Sequence, residues 1–293
     1  MGHLFSSKWN GGSMVNQGFD VVEVTLDQDA LKDVDLLWIA DMRTELTPEE
    51  EAALEKYIEQ GGNLVFMGEP SHRETQNKVL NKFFGLELTP LLVGPDVRFK
   101  GSLTANVLAA VPTQRSKELM YPMKNSYRIA HENCAGIEEV ENKGFKVEAL
   151  VSTDTTGPVW TELETTDFVD DTVKFNPTVG EISKVFNTVV GLTRQVGNRE
   201  QRIMVTGDAD CLSNNEFVIT RGVSAANVNL LTGCALWMTS GELPLDMRRP
   251  DMKDNSVSVS MAWYRVFKAG FKFGLPILLL GIGVFIWFRR RGR

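Results

Sequence analysis

The sequence predicts an α/β fold with a parallel sheet, a β-rich insertion and one C-terminal transmembrane helix. Short apolar runs alternate with helical patterns over residues 1–90, and a similar apolar run returns at 202–206. The region 91–198 instead consists of short segments punctuated by Thr, Val, Gly and Pro. A charge-free apolar stretch, Phe273 to Phe288, lies close to the C-terminus.

The first elements read as strand, strand, helix and strand. "DVVEVTL" (Asp20 to Leu26) is β-rich, and "VDLLWIADM" (Val34 to Met42) is typical of a buried strand that ends in an acidic residue. In "LTPEEEAALEKYIEQGGN", Thr47 and Glu50 form a capping box, and Gly61 is placed to end the helix. "NLVFMGEP" follows as a short apolar strand. Short connections of this kind predict a right-handed parallel unit.

Later elements complete the predicted sheet. A second helix, "ETQNKVLNKFFG", ends at Gly85. "RIMVTGDAD" repeats the apolar-strand pattern, and "AANVNLLTGCALWMTSG" predicts a helix after it. Because three strands each end in an acidic loop and each connect to a helix, we expect them to be neighbours in one sheet. These strands are Leu36–Ala40, Leu64–Met67 and Ile203–Thr206.

The pattern divides the chain into six segments. They are the first part of the α/β domain at 1–90, the β-rich insertion or subdomain at 91–198, the returning strand and helix at 199–245, a juxtamembrane linker at 246–272, the transmembrane helix at 273–288 and a basic cytoplasmic tail at 289–293.

The apolar stretch near the C-terminus predicts a membrane span. Sixteen residues rise about 24 Å as a helix, short of the ~30 Å hydrocarbon core. Trp287 at the interface, with Lys272 and Arg289 able to snorkel, extends the usable length. A buried core helix is the alternative, which the adjoining arginines disfavour. Those arginines favour a cytoplasmic tail and an outside body, although Arg265, Lys268 and Lys272 on the other flank weaken the bias.

Composition excludes several classes of function. A formal net charge of −7 argues against nucleic acid as a partner, since phosphate binding needs clustered Lys and Arg. Cys134, Cys211 and Cys234 have no zinc or disulfide spacing, so we expect no metal and no other cofactor. Cys211 also lacks a nucleophile elbow, and no Walker A motif occurs. We therefore expect no catalytic residue and no enzyme activity.

Acidic residues at the strand ends form the candidate site. Ligands of open parallel sheets bind beyond the carboxyl ends of the strands, so these side chains could converge. Carboxylates there could hold Mg²⁺ or act as an acid–base pair, whereas the structural alternative is that they cap helices and solvate loop ends. We predict a ligand or partner cleft that consists of Asp41, Glu69, Asp208, Asp210, Ser213 and Asn214.

Four stretches carry a family resemblance: "MVNQGFDVVEVTL", "VDLLWIADMRTELTPEEEAALEKYIEQGGNLVFMGEP", "GDADCLSNNEF" and the closing "LP…GIGVFIWFRRR". Together they resemble the auxiliary domain of GldG-type gliding-motility and ABC-transporter proteins. The resemblance implies a Rossmann-like, class I glutamine-amidotransferase-like domain that lacks the catalytic residues and lies outside the cytoplasm. Such proteins have membrane spans before this domain, so we expect either a separate permease chain or a truncated piece.

The residues and the resemblance together predict a non-catalytic auxiliary component of an ABC-type transport system. We expect it in the inner (cytoplasmic) membrane with a single C-terminal span, and its extracytoplasmic α/β domain would contact a partner or substrate. The expected partners are ABC permease and ATPase subunits, with membrane lipid around 273–288. The alternative is a membrane-tethered hydrolase or glycan-binding protein that uses the strand-end carboxylates.

Overall fold

The computed structural model describes residues 14–15, 18–94, 107–120, 123–124, 127–154, 157–164, 173–213, 226–242 and 260–292. The chain divides into two compact units, Met1–Leu245 and Asp246–Arg293, and each is described by itself. The described residues of the first unit form a mixed α/β structure that is built on a ten-stranded sheet.

The elements of the first unit follow in chain order. They are β1 (Leu36–Ala40), α1 (Pro48–Glu59), β2 (Asn63–Met67), a 3₁₀ turn (Pro70–His72), α2 (Arg73–Phe84), β3 (Leu86–Val93), β4 (Val107–Pro112), α3 (Gln114–Leu119), β5 (Ile129–Glu132), β6 (Ala135–Glu139), β7 (Lys146–Thr153), β8 (Trp160–Thr161), a 3₁₀ turn (Pro177–Val179), β9 (Asn187–Val196), β10 (Arg199–Thr206) and α4 (Asn227–Met238).

The sheet has the order β1-β2-β10-β9-β6-β3-β8, and β4 pairs with β5 and with β7, which also pairs with β9. Strands β1, β2 and β10 are parallel neighbours, so that Leu37 and Ile203 both lie opposite Leu64. The predicted adjacency of these three strands is therefore confirmed. The other pairings are antiparallel, so the sheet is mixed and the strands between 86 and 196 extend it.

Helices on both faces explain why the parallel strands are apolar throughout. In β2, Leu64 and Phe66 belong to one buried cluster, whereas Val65 and Met67 belong to the other. Helices α1 and α2 supply side chains to the first cluster, and α4 supplies them to the second. Since side chains alternate between the faces of a strand, burial on both faces requires a continuous apolar run.

The ends of α1 and α2 follow the predicted signals. The Thr47 hydroxyl accepts the Glu50 backbone N–H at 3.2 Å, and the Glu50 carboxylate accepts the Thr47 N–H at 2.8 Å. This is the capping box expected for α1. Helix α2 ends at Gly85, which has a φ of 66° in the left-handed region.

The predicted strand at Asp20 to Leu26 is wrong. Residues 19–25 have no regular secondary structure, and Val22 is 64% exposed. Valine favours strands chiefly where it packs on a half-buried sheet surface. This segment pairs with none of the described strands, so its composition alone does not produce a strand.

The second unit is helical where it is described. Helix α5 (Met261–Ala269) passes through a π-helical turn (Gly270–Gly274) into α6 (Leu275–Arg291). Pro276 has no N–H and its ring crowds the carbonyl four residues earlier, which accounts for the widened turn before it. The continuous helix Ala262–Arg291 is long and apolar enough to cross a membrane. Its 30 residues span about 45 Å, which exceeds a hydrocarbon core of ~30 Å.

Candidate functional site

Strands β1, β2 and β10 end together at one edge of the sheet. The backbone N–H of Asp41 donates to the carbonyl of Met67 at 3.0 Å, and that of Gly68 donates to Thr206 at 2.8 Å. The parallel pairing thus continues one residue beyond β1 and β2. The acidic residues that follow the three strands are therefore held at the same edge.

Gly207 fixes the path of the chain after β10. Its carbonyl accepts the backbone N–H of Ala135 at 2.8 Å, and its own N–H donates to the carbonyl of Thr188 at 2.9 Å. A Cβ atom at this position would lie 1.9 Å from the Ala135 oxygen, so a side chain does not fit. The glycine in the "TGDAD" sequence is therefore required by a close backbone approach, which positions Asp208.

Asp208 is a buried loop anchor. It is 0% exposed, and its Oδ1 accepts the backbone N–H groups of Asp210 at 2.7 Å and Cys211 at 3.1 Å. Its Oδ2 accepts the N–H of Glu132, at the end of β5, at 2.8 Å. A carboxylate with three such donors holds the turn after β10 in shape and ties it to β5.

Asp41 has two cationic or ionisable neighbours. Its Oδ2 lies 2.6 Å from Nη2 of Arg43, and its Oδ1 lies 2.8 Å from Nδ1 of His72. Asp41 has a φ of 47°, a left-handed conformation that aspartate tolerates better than most residues. The tight turn after β1 thus directs the carboxylate toward the 3₁₀ turn after β2.

Gln76 on α2 connects the two loops after β1 and β2. Its side chain is 0% exposed, its Oε1 accepts the N–H of Glu69 at 2.8 Å, and its Nε2 donates to the carbonyl of Met42 at 3.0 Å. Ser71 donates to the Glu69 carboxylate at 3.3 Å. These bonds give the Glu69 side chain a defined position at the strand edge.

The carboxylates at this edge act on one another electrostatically. Burial raises the pKa of Glu69 from 4.5 to about 7, with further contributions from the charges of Asp208, Asp41 and Asp210. The pKa of Asp210 is also raised, first by burial and then by the charges of Asp208, Glu132 and Asp41. The four predicted acidic residues are therefore close enough to act on one another, and together they form an acidic surface at the carboxyl ends of the strands, here called the negative strand edge.

The remaining two predicted residues follow in the loop after β10. Ser213 is part-buried, and its N–H donates to the carbonyl of Asp210 at 2.8 Å. Asn214 lies outside the described residues. The role of the six residues as a binding cleft stays a prediction.

Sequence reasoning missed two residues beside this turn, His131 and Asn227. His131 on β5 is 0% exposed, and its Nδ1 lies 3.3 Å from Oδ2 of Asp208. Asn227, at the start of α4, donates to the carbonyls of Ala130 and Cys211, both at 2.7 Å. A nitrogen of His131, an oxygen of Asp208 and the sulfur of Cys211 lie within 4.8 Å of one another. His131, Asp208 and Cys211 thus form a group of described residues whose donor atoms could hold a metal ion.

Comparison with known proteins identifies the family. Residues 4–234 match the family described as "ABC-type uncharacterized transport system". The chain belongs to this family. The predicted resemblance to an ABC-transporter auxiliary domain is confirmed, and the protein is an auxiliary component of an ABC-type transport system.

Several solved structures are similar to this chain at low identity. The mmIFT52 N-terminal domain is 15% identical, with a TM-score of 0.47 over 75% of this chain and 83% of that one. A putative ThuA-like protein from Bacteroides uniformis is 16% identical, with a TM-score of 0.41 over 73% of each chain. Cytoplasmic protein STM3548 from Salmonella typhimurium is 9% identical, with a TM-score of 0.41 over 75% of this chain and 82% of that one. No match was found among the curated proteins.

Proposed function

We propose that this chain is a non-catalytic, GldG-type subunit anchored in the cytoplasmic membrane by its C-terminal helix. Its α/β unit, Rossmann-like and similar to class I glutamine amidotransferases, lies on the extracytoplasmic side. There it binds an ABC permease, which works with an ATPase subunit in the cytoplasm. Family membership and the apolar helix Ala262–Arg291 support this proposal.

The negative strand edge is the observation that carries the proposal. Glu69 is half-buried and Asp210 is exposed. Burial is the largest cause that raises the pKa of each, and the negative charges of neighbouring carboxylates raise it further. A lysine or arginine of a partner would relieve this repulsion and form charge-assisted hydrogen bonds with the carboxylates. We therefore propose that the partner presents a basic group to this edge, and that the cleft selects it by charge.

The hydrogen bonds of the acidic residues support binding over catalysis. Both oxygens of Asp208 accept backbone N–H groups, and Asp41 is paired with Arg43 and His72. These two carboxylates therefore shape the edge, which leaves Glu69 and Asp210 to meet a partner.

A hydrolase is the second candidate, and one observation favours it. The pKa of Glu69, about 7, lies in the range of a general acid or base. A purified chain that hydrolyses an ester, amide or glycoside, and loses that turnover in Glu69→Gln, would establish the hydrolase in place of the binding subunit.

Site-specific photo-crosslinking in native membranes tests the binding proposal. A photoreactive amino acid replaces Arg43, whose side chain is 71% exposed beside Asp41. The matched control carries it at Asn198, an exposed turn residue between β9 and β10. We expect Arg43 to yield an adduct with a multi-span ABC permease, and Asn198 to yield none.

Charge reversal then tests the chemistry of the contact. Asp210→Lys in the Arg43 crosslinking background should remove the permease adduct, because it places a like charge against the basic group of the partner. Equal adducts from Arg43 and Asn198, or an adduct unchanged by Asp210→Lys, would contradict binding at this edge.

A further inference from the structure

We propose that His131, Asp208 and Cys211 form a zinc site between strand β5 and the loop after β10. Their donor atoms, one nitrogen, one oxygen and one sulfur, lie within 4.8 Å of one another, and all three residues are 0% exposed. Strand β5 supplies the histidine, and the loop after β10 supplies the other two. An ion here would link the loop to the strand. This inference does not depend on the proposed function.

The imidazole of His131 is the observation that points to a ligand. Among the described residues, neither Nδ1 nor Nε2 has a hydrogen-bond partner, although the ring is completely buried. Nδ1 approaches Asp208 Oδ2 at 3.3 Å, but without the direction of a hydrogen bond. Buried polar groups nearly always have a partner, and an unsatisfied one costs about 1–3 kcal/mol. A metal ion bound by one ring nitrogen would give that nitrogen a partner.

The surrounding bonds hold the other two ligands in place. The Glu132 N–H donates to Asp208 Oδ2, and Asn227 holds the carbonyl of Cys211 at 2.7 Å. The thiol of Cys211 donates to the carbonyl of Asp208 at 3.2 Å, and that carbonyl also accepts the Thr206 hydroxyl at 2.7 Å. When the thiol gives its proton to solvent and binds the ion, the carbonyl keeps a donor. Such outer bonds commonly orient metal ligands.

The donor set selects the metal. Imidazole, carboxylate and thiolate together suit zinc, whereas magnesium and calcium prefer oxygen ligands alone. Carboxylate and thiolate balance the two positive charges of the ion. Three protein ligands leave one position of a tetrahedral zinc to a further group.

Metal content and spectroscopy of the full chain test the site. The chain is purified in detergent, stripped with a chelator and reloaded with Zn²⁺ or Co²⁺. We expect equimolar zinc after dialysis, and a thiolate-to-cobalt charge-transfer band in the near ultraviolet. Zinc should also raise the thermal midpoint of the chain, and the chelator should reverse that rise, because an ion that binds only the folded state stabilises it.

Matched cysteine variants assign the ligand. Cys211→Ser should abolish the charge-transfer band and weaken zinc binding by more than ~100-fold, the upper end of the loss from an outer-shell substitution. Cys234→Ser is the control, because Cys234 is equally buried on α4 and burial raises the pKa of its thiol, with no contribution from a carboxylate of the described residues. This variant should keep the metal and the band.

Three results would overturn the zinc site: wild-type chain without equimolar zinc, a cobalt spectrum without a thiolate band, or the same loss in Cys234→Ser as in Cys211→Ser. The wild-type measurements decide the question even if Cys211→Ser does not fold. They involve neither Arg43 nor Asp210, so the proposed partner contact can fail while the zinc site stands.

Discussion

At the residue scale, Asp208 determines the shape of the turn after β10. Asp208→Ala leaves three backbone N–H groups without their acceptor, and we expect it to lower the free energy of unfolding by about 3 kcal/mol or more. Asp210→Ala is the matched control and removes a carboxylate whose pKa is raised by burial. It should change the free energy of unfolding by less than about 1 kcal/mol. Denaturant unfolding of the purified chain measures both. Equal losses would show that Asp208 is not the anchor.

The convergence of the strand-end acids could be predicted, but His131 could not. Asp41, Glu69 and Asp208 each follow an apolar run, and parallel strands bring their carboxyl ends to one edge. His131 reaches Asp208 through β5, a strand that enters the sheet by pairing with β4. No local spacing encodes that contact, so the buried histidine carried no signal in the sequence.

At the element scale, the cap of α1 gives a direct test of local stability. Thr47→Ala removes the acceptor for the Glu50 N–H, and we expect a loss of about 1 kcal/mol in the free energy of unfolding. Thr44→Ala, at an exposed position before the helix, is the control and should be near neutral. Denaturant unfolding measures both variants, and equal unfolding midpoints for Thr47→Ala and Thr44→Ala would contradict the capping role.

A pair of buried glutamates links the segment after β8 to the segment before β9. Glu162 and Glu181 are 6% and 4% exposed, and burial is the largest cause that raises the pKa of Glu162 to about 7. Trp160 Nε1 donates to Glu162 at 3.2 Å, and the Leu163 N–H donates to Glu181 at 3.2 Å. The protonated Glu162 carboxyl can also donate to Glu181, so one shared proton holds the two segments together.

This pair makes stability depend on pH. The folded state holds the Glu162 proton up to a pH of about 7, whereas the ordinary pKa is 4.5, so the free energy of unfolding falls as pH rises through that interval. In Glu162→Gln the amide donates in place of the proton. In denaturant unfolding, the free energy of unfolding of the variant should exceed that of the wild type by about 1 kcal/mol at pH 8, after allowance for solvent screening. At pH 4 the two values should be equal. Glu139→Gln, at an exposed position, is the control and should follow the pH dependence of the wild type. If the free energy of unfolding of Glu162→Gln also ran parallel to that of the wild type between pH 4 and pH 8, the shared proton would be refuted.

Element prediction succeeded where burial produced a local pattern. The three parallel strands are apolar on both faces, and α1 carries its own capping signals, so each was visible in the sequence. The order of the antiparallel strands depends on long-range pairing, such as β6 between β9 and β3, which has no local signature. "DVVEVTL" shows the converse, because β-rich composition without a partner strand does not make a strand.

At the scale of the whole molecule, the charges that flank the apolar stretch bear on its orientation. Four arginines follow it, Arg289, Arg290, Arg291 and Arg293, and three basic residues precede it, Arg265, Lys268 and Lys272. The helix Ala262–Arg291 has a mean hydropathy of 2.0 in its most apolar window. The excess of arginine favours the cytoplasmic tail of the proposed orientation.

Cysteine labelling in cells tests this orientation. The native cysteines Cys134, Cys211 and Cys234 are buried, so an impermeant thiol reagent should leave them unlabelled in the folded chain. We expect Asn198→Cys, in an exposed turn, to be labelled in intact cells. Gly292→Cys, between Arg291 and Arg293, should be labelled only once the cytoplasmic membrane is lysed. The reverse pattern would place the α/β unit in the cytoplasm. A partner contact at its negative edge would then have to be made on that side of the membrane, by the ATPase or a cytoplasmic loop of the permease.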